Sequence, residues 1–175
     1  MTKYAIVATI LLVSCSDSKQ QGAASQANAR DTVAACQQFA REGLKLKARN
    51  RAELDAEIGN PGYIQVTTEP NRHVPNAQDS IIRLESDGLI VQVRKPGPGG
   101  ELFEQVEVSQ RKWLNFPYFR PGVSASDVVA ALGQPRRREA NRLIYNCGES
   151  EAEEPIVFEL EDGAVQRIVF NYYVD

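Results

Sequence analysis

The stretches NRAELDAEIGNP at residues 50–61 and SASDVVAALGQP at residues 124–135 decide the fold, because they repeat one helix design 74 positions apart. Both carry, in register, an N-cap side chain, an acidic residue three positions later, an apolar i, i+4 pair, a glycine and a proline. The matched pairs are Asn50/Ser124, Glu53/Asp127, Leu54/Val128, Ile58/Leu132, Gly59/Gly133 and Pro61/Pro135. We therefore predict two short helices, each ended by its glycine and proline; chance similarity of unrelated segments is the alternative.

Strand and turn signals follow each predicted helix in the same order. A β-rich run at residues 62–68 corresponds to one at residues 142–145, and alternating apolar residues at 82–84 correspond to 158–160. Each alternating run leads into an Asp-Gly pair, which favours a tight hairpin. A further strand is expected at residues 102–108. The pattern predicts an α+β fold in which two tandem helix-plus-antiparallel-hairpin units form a curved sheet with helices packed on one side.

The predicted units span residues 31–110 and 111–175, and a polar tether precedes them. Residues 15–30 carry few apolar side chains, which is typical of a flexible linker. Order is expected to begin at Asp31, a candidate N-cap. From there an apolar stripe of helical period predicts a helix to about residue 48. The stripe consists of Val33, Cys36, Phe39 and Ala40.

The first fourteen residues have the pattern of an export signal. Lys3 is followed by a predominantly apolar stretch of ten residues, too short to span a bilayer of ~30 Å, and then by small residues before Cys15. This pattern resembles the lipobox of bacterial lipoproteins, which implies cleavage before Cys15 and its acylation, with palmitate as a typical chain. Ser16 follows the cysteine where an aspartate would resemble an inner-membrane retention signal. The expected location is therefore the periplasmic face of the outer membrane, with the inner membrane left as the alternative.

Charge and cysteine content limit the classes of partner. The formal net charge is −3, and loss of Lys3 with the signal leaves 19 basic against 23 acidic residues, a net charge of −4. Nucleic-acid binders usually show a clustered basic excess, so no nucleic-acid partner is expected. With Cys15 assigned to lipid, Cys36 and Cys147 remain. In an oxidising compartment they favour one disulfide, and two buried free thiols are the alternative.

The helix endings also resemble those of a known family. Pro121-Gly122-x-Ser124, Val128 and Leu132-Gly133-x-Pro135 resemble the unit of SmpA/OmlA-type outer-membrane lipoproteins, and Ile58-Gly59-x-Pro61 keeps part of that pattern. The family resemblance implies a small α+β accessory subunit of the machinery that assembles β-barrels. A doubled unit resembles the β-lactamase-inhibitor-protein-like fold, in which two units share a concave sheet. Together the likeness extends over about residues 45–173.

No catalytic motif, metal site or cofactor site is apparent in the sequence. His73 is the only histidine and lies in an expected loop, so a multi-histidine zinc site is excluded. The candidate partner-binding residues are aromatic and fall between the two units; packing in the seam between the units is the alternative. They are Trp113, Phe116, Tyr118 and Phe119.

These features predict a non-enzymatic, membrane-anchored module that binds a protein partner of the cell envelope or acts as a scaffold in envelope assembly. An inhibitor-like or sensor module that binds a periplasmic enzyme through its sheet and loops is the alternative. An enzyme whose carboxylates come together only in the folded chain is a third possibility.

Overall fold

A computed structural model describes residues 32–172 apart from positions 49, 60, 72, 98, 117 and 148–154. The expected signal peptide, Cys15 and the tether at residues 15–30 lie outside the described residues. So do Asp31, the acidic run at residues 149–154 and the last three positions of the chain.

Three α-helices and one short 3-10 helix lie within the described residues. The helix α1 covers residues 32–42, and α2 and α3 are Arg51–Ile58 and Ala125–Leu132. The 3-10 helix is Arg111–Trp113, immediately after the last strand of the first half of the chain.

Helix α1 is shorter than the sequence pattern predicted. Its final turn closes with the Gly43 N–H donating to the Phe39 carbonyl at 2.8 Å, and Leu44 then forms a bridge with Leu114 instead of continuing the helix. A Cβ at Gly43 would lie 2.3 Å from the Phe39 carbonyl oxygen, so this close approach requires glycine. The predicted apolar stripe is also partly wrong, because Val33 is 57% exposed while Cys36 and Phe39 are buried.

The two repeated helices have the N-caps and the glycine ends that their sequences predict. The Asn50 side chain accepts a hydrogen bond from the Glu53 N–H at 3.0 Å, and the Ser124 hydroxyl accepts one from the Asp127 N–H at 3.1 Å. Each bond satisfies a backbone donor that the first turn leaves without a helical partner. After each helix a glycine adopts positive φ, 72° at Gly59 and 80° at Gly133.

Eight strands form one open antiparallel sheet in the order β1-β2-β3-β4-β8-β7-β6-β5. The two halves of the chain meet where β4 pairs with β8, with Val106 opposite Phe170 and Val108 opposite Ile168. The strands are β1 Tyr63–Pro70, β2 Gln78–Ser86, β3 Leu89–Lys95, β4 Leu102–Val108, β5 Arg137–Glu139, β6 Arg142–Tyr145, β7 Ile156–Glu161 and β8 Ala164–Asn171.

Strand β5 was not predicted. The side chains of Arg136, Arg137 and Arg138 are exposed, as is typical of a solvated turn. Residues Arg137–Glu139 nevertheless pair with β6 through a tight turn, so backbone hydrogen bonding and not burial fixes this short edge strand.

One face of the sheet carries the hydrophobic core. Residues directly opposite in an antiparallel pair lie on the same face, so the register assigns most of the buried apolar strand residues to a single layer. The core cluster combines them with residues of all three helices, among them Phe39, Leu54 and Val128. The strand residues in this layer include Leu84, Val91, Val106, Phe158 and Ile168.

Helix α1 belongs to the first half of the chain but contacts the second half. Phe39 is fully buried and its ring lies 4.7–5.9 Å from four other rings, all of which come after residue 110. The Sγ atoms of Cys36 and Cys147 are 2.07 Å apart, at disulfide distance, and the two residues are 111 positions apart in sequence. Of the two alternatives for these cysteines, the structure has the paired arrangement.

Candidate functional site

The sheet face opposite the core, which we call the polar face, is lined by alternating arginine and glutamate side chains. Its position follows from the register, since Arg83 and Gln92 lie opposite each other, as do Gln92 and Gln105 and also Glu159 and Arg167. We define the polar face by Arg83, Arg94, Gln105, Glu107, Arg142, Glu159 and Arg167. Ile81 and Val169 lie on the same face and are buried, although they do not belong to the main core cluster.

A chain of ion pairs crosses the polar face from β2 to β6. The Glu107 carboxylate receives Arg83 Nη1 at 3.0 Å and Arg167 Nη1 at 2.6 Å. Glu159 receives Arg167 Nη2 at 2.6 Å and Arg142 Nη2 at 3.1 Å. Each carboxylate therefore binds two guanidinium groups, and Arg167 joins the two halves of the chain.

Solvent reaches the basic members of this chain more than the acidic ones. The side chains of Arg142, Arg167 and Arg83 are 48%, 36% and 30% exposed, whereas Glu159 and Glu107 are 18% and 10% exposed. The pKa of Arg167 and that of Arg83 are raised because, although burial lowers them, hydrogen bonds and charge pairing with the glutamates outweigh it. Between β4 and β6 the polar face therefore presents positive groups over the paired carboxylates of Glu107 and Glu159.

A second charged cluster lies at the other end of the polar face, on strands β1 to β4. The Arg94 side chain is 8% exposed and contacts three carboxylates: Glu104 at 2.6 Å, Asp79 at 3.2 Å and Glu69 at 3.3 Å. Asn71 donates a further hydrogen bond to Asp79 at 2.6 Å. In this Arg94 cluster one cation lies among three anions. In the chain of ion pairs from β2 to β6, by contrast, three arginines share two glutamates.

The hydrogen bonds around Asp79 stabilise its charged form. The bond from the Asn71 amide lowers the pKa of Asp79, burial acts in the opposite direction, and Arg94 lowers it further, so that the net shift is downward from 3.8. For Arg94, burial lowers the pKa, but hydrogen bonds from its guanidinium to Glu104 and Asp79 outweigh this and raise it.

In the Asp79→Asn variant, the free energy of unfolding should depend less on pH in the acidic range. Because the pKa of Asp79 is lower in the folded than in the unfolded protein, the charged carboxylate stabilises the fold above the ordinary value of 3.8. That stability is lost as the pH falls through the folded-state pKa. Urea unfolding between pH 2 and pH 6 should therefore show a shallower decline for the variant than for the unaltered protein. If stability declines equally with falling pH in both proteins, the pKa of Asp79 is not lowered by folding.

The polar face contains an open depression of about 320 Å³ rather than a deep pocket. Polar and charged side chains of neighbouring strands surround it, and Val157 and Val169 are its apolar lining residues. Its polar lining consists of Arg83, Gln105, Glu107, Arg142, Glu159, Arg167 and Asn171. A shallow surface with fixed, mixed charges is suited to recognising another charged surface, because complementary charges orient and select a partner.

The four aromatic candidates lie in different environments. Phe119 is buried, and the rings of Phe116 and Phe119 lie 5.9 Å and 4.7 Å from that of Phe39. The Trp113 indole N–H donates to the Asp87 carbonyl at 3.0 Å, and Lys112 lies 4.9 Å from the centre of its ring. Tyr118 is 73% exposed. Three of the four rings thus pack within the protein, and Tyr118 alone faces solvent.

His73, the only histidine in the sequence, does not belong to the polar face. His73 is exposed in the loop between β1 and β2, where its N–H donates to the Asn71 side chain at 2.8 Å. Within the described residues no group of three histidine, cysteine or acidic side chains is placed to hold a metal ion. None of the helices in that part of the chain is long and apolar enough to cross a membrane.

The sequence interpretation missed the polar face. A signal was present: charged or amide residues occur two positions apart in its strands, as at Arg83 and Glu85 in β2 and at Gln105 and Glu107 in β4. Period-2 polarity indicates a solvated sheet face, but which charges meet depends on strand order and register. Both are long-range properties that the individual segments do not specify.

Comparison of the chain with protein-family models, curated proteins and solved structures finds no match.

Proposed function

We propose that this chain is a lipid-anchored, periplasm-facing lipoprotein that binds a protein partner of the cell envelope through its polar face, as a non-enzymatic scaffold or accessory module. In this proposal residues 1–14 are removed as a signal, Cys15 carries the lipid, and residues 15–30 form the tether. The anchor is in the outer membrane, and the partner lies within reach of the tether.

The polar face is the observation that carries the proposal. It presents a continuous row of charges from β2 to β6, in which Arg142 and Arg167 are more exposed than Glu159 and Glu107, the glutamates that they bind. Buried catalytic clefts need converging groups, whereas this surface is shallow and spread over the sheet. An electrostatic docking surface of this kind favours selective binding to an acidic or mixed-charge protein surface.

We also propose that the sheet is built from two tandem units whose helices pack on one side of it. Support comes from the matching N-caps at Asn50 and Ser124 and the matching positive-φ glycines at 59 and 133. The shared core cluster, which includes Phe39, Leu54, Val128 and Leu132, supports helices that lie on one face. The resemblance to SmpA/OmlA-type lipoproteins connects such a unit with envelope assembly.

A photoreactive residue at position 105 should test the binding surface in bacterial cells. Gln105 lies at the centre of the polar face, where it donates to Asn171 at 2.8 Å. Ala130, which is exposed on α3, is the matched control position. We expect a discrete crosslinked adduct with one envelope protein from position 105 and none from position 130. Equal adducts from both positions, or none from position 105, would contradict the proposal.

Charge reversal should then separate specific binding from chance proximity. Arg142→Glu introduces a carboxylate beside Glu159 on the polar face, and Arg120→Glu makes the same charge change at an exposed loop position away from it. Loss of a charged contact should reduce the adduct from position 105 by about tenfold in the first variant. The Arg120→Glu variant should give the same amount of adduct as the unaltered protein.

If the crosslinked partner is a periplasmic enzyme that this chain inhibits, the chain has an inhibitor role and not a scaffold role.

A further inference from the structure

Strand β1 is an edge strand without the features that normally protect an edge. It is eight residues long, pairs with β2 without a bulge, and all eight residues are exposed. It contains no lysine or arginine, and its proline is the last residue of the strand. Ile64 and Val66 are 50% and 61% exposed on the side of the sheet that elsewhere forms the core. Such an edge offers its free backbone N–H and C=O groups to another strand.

The opposite edge of the same sheet is protected. Strand β5 has three residues, begins with Arg137 and Arg138, and follows Pro135 closely. Short length, positive charge and a nearby proline are the common devices that prevent strand addition. The contrast indicates that β1 is left open for pairing, not exposed merely because every sheet must end.

We propose that β1 pairs antiparallel with β1 of a second copy of this chain, across a two-fold axis perpendicular to the sheet. Opposite residues must lie on the same face, which restricts the possible registers to those that pair odd with odd and even with even positions. The register centred on Val66 uses the whole strand except its proline. It pairs Val66 with Val66, Ile64 with Thr68, Gln65 with Thr67, and Tyr63 with Glu69.

The chemistry of the strand fits a second copy. Glu69 is the only charged residue of β1, and this register places it opposite tyrosine, so no like charges meet. Ile64 and Val66 of both copies become neighbours on one face and form an apolar cluster, next to the partly buried Ile82 of each copy. The β-branched side chains at the centre are those that pack best between strands.

The position of α1 is also compatible with this arrangement. Phe39 of α1 contacts Phe158 and Phe170 on β7 and β8, at least four strands from β1, or ~19 Å at ~4.8 Å per strand. A two-fold axis perpendicular to the sheet keeps α1 of both copies on the same side. If the chain is tethered as proposed above, both anchors can therefore reach one membrane. Confinement there would raise the effective concentration of β1.

Cysteine crosslinking of the full chain tests the register. In a Cys15→Ser background, Cys36 and Cys147 are buried and paired, so an introduced cysteine is the one available thiol among the described residues. Val66→Cys should give a disulfide-linked dimer under mild oxidation, since the register places the two sulfurs opposite each other. Thr67→Cys should not, because position 67 lies opposite position 65. Equal crosslinking at both positions would indicate random collision and overturn the register.

Sedimentation of the full Cys15→Ser chain in mild detergent tests the dimer itself. We expect twice the mass of one chain, and the monomer mass for Val66→Lys, which places like charges opposite each other at the axis. Circular dichroism should be unchanged, because position 66 is exposed. The control Tyr118→Lys adds the same charge at an exposed loop position outside β1 and should remain dimeric. A monomer mass in the absence of these substitutions would overturn the proposal.

Discussion

Phe39→Ala should lower the free energy of unfolding by about 3–5 kcal/mol, the range for removing a buried aromatic ring. The effect is expected to be large because Phe39 is fully buried and its ring lies 4.7–5.8 Å from those of Phe119, Phe158 and Phe170. These residues come from a loop and two strands of the second half of the chain. Removing the Phe39 ring therefore removes these ring contacts of helix α1 with all three segments. Urea unfolding followed by circular dichroism measures the change.

Val33→Ala is the matched control for this prediction. Val33 lies on the same helix but is 57% exposed, so its truncation should change the free energy of unfolding by less than ~0.5 kcal/mol. If the two substitutions have similar effects, Phe39 does not have the central packing role that its position indicates.

Replacing both Cys36 and Cys147 with alanine should destabilise the protein by about 2–5 kcal/mol. A crosslink between residues 111 positions apart restricts the unfolded chain strongly, and it also fixes α1 to the segment after β6. The effect should appear as a lower urea midpoint under oxidising conditions. Alanine is the preferred substitute because both positions are buried.

Reduction provides the control for the cysteine variant. A reducing agent should lower the midpoint of the unaltered protein toward that of the double variant and leave the double variant unchanged. A reductant-insensitive midpoint in the unaltered protein, or two reactive thiols after unfolding without reductant, would contradict a disulfide between Cys36 and Cys147.

Local features of the fold could be predicted from the sequence because their causes are local. The caps at Asn50 and Ser124 and the positive-φ glycines at 59 and 133 depend on side chains within a few residues. The Asp-Gly hairpins before β3 and β8 depend likewise on turn chemistry, and Asp87 and Asp162 both adopt positive φ.

The features that were missed depend on contacts between distant segments. Helix α1 ends early because Leu44 pairs with Leu114, which lies 70 positions further along the chain. The ion pairs of the polar face join Glu107 to Arg167 across β4 and β8, and this pairing of strands could not be inferred from either strand alone. The alternation of charges indicates a solvated face, but only strand order shows that the charges form one continuous row.

Mass spectrometry of Cys15 in protein purified from bacterial membranes tests the central claim most directly, since compartment, disulfide and class of partner all depend on export and anchoring. The account predicts a mature chain that begins at Cys15 and carries a diacylglyceryl group on sulfur together with an acyl chain on its amino group. A chain that retains residues 1–14, or one that has an unmodified Cys15 thiol, would contradict it.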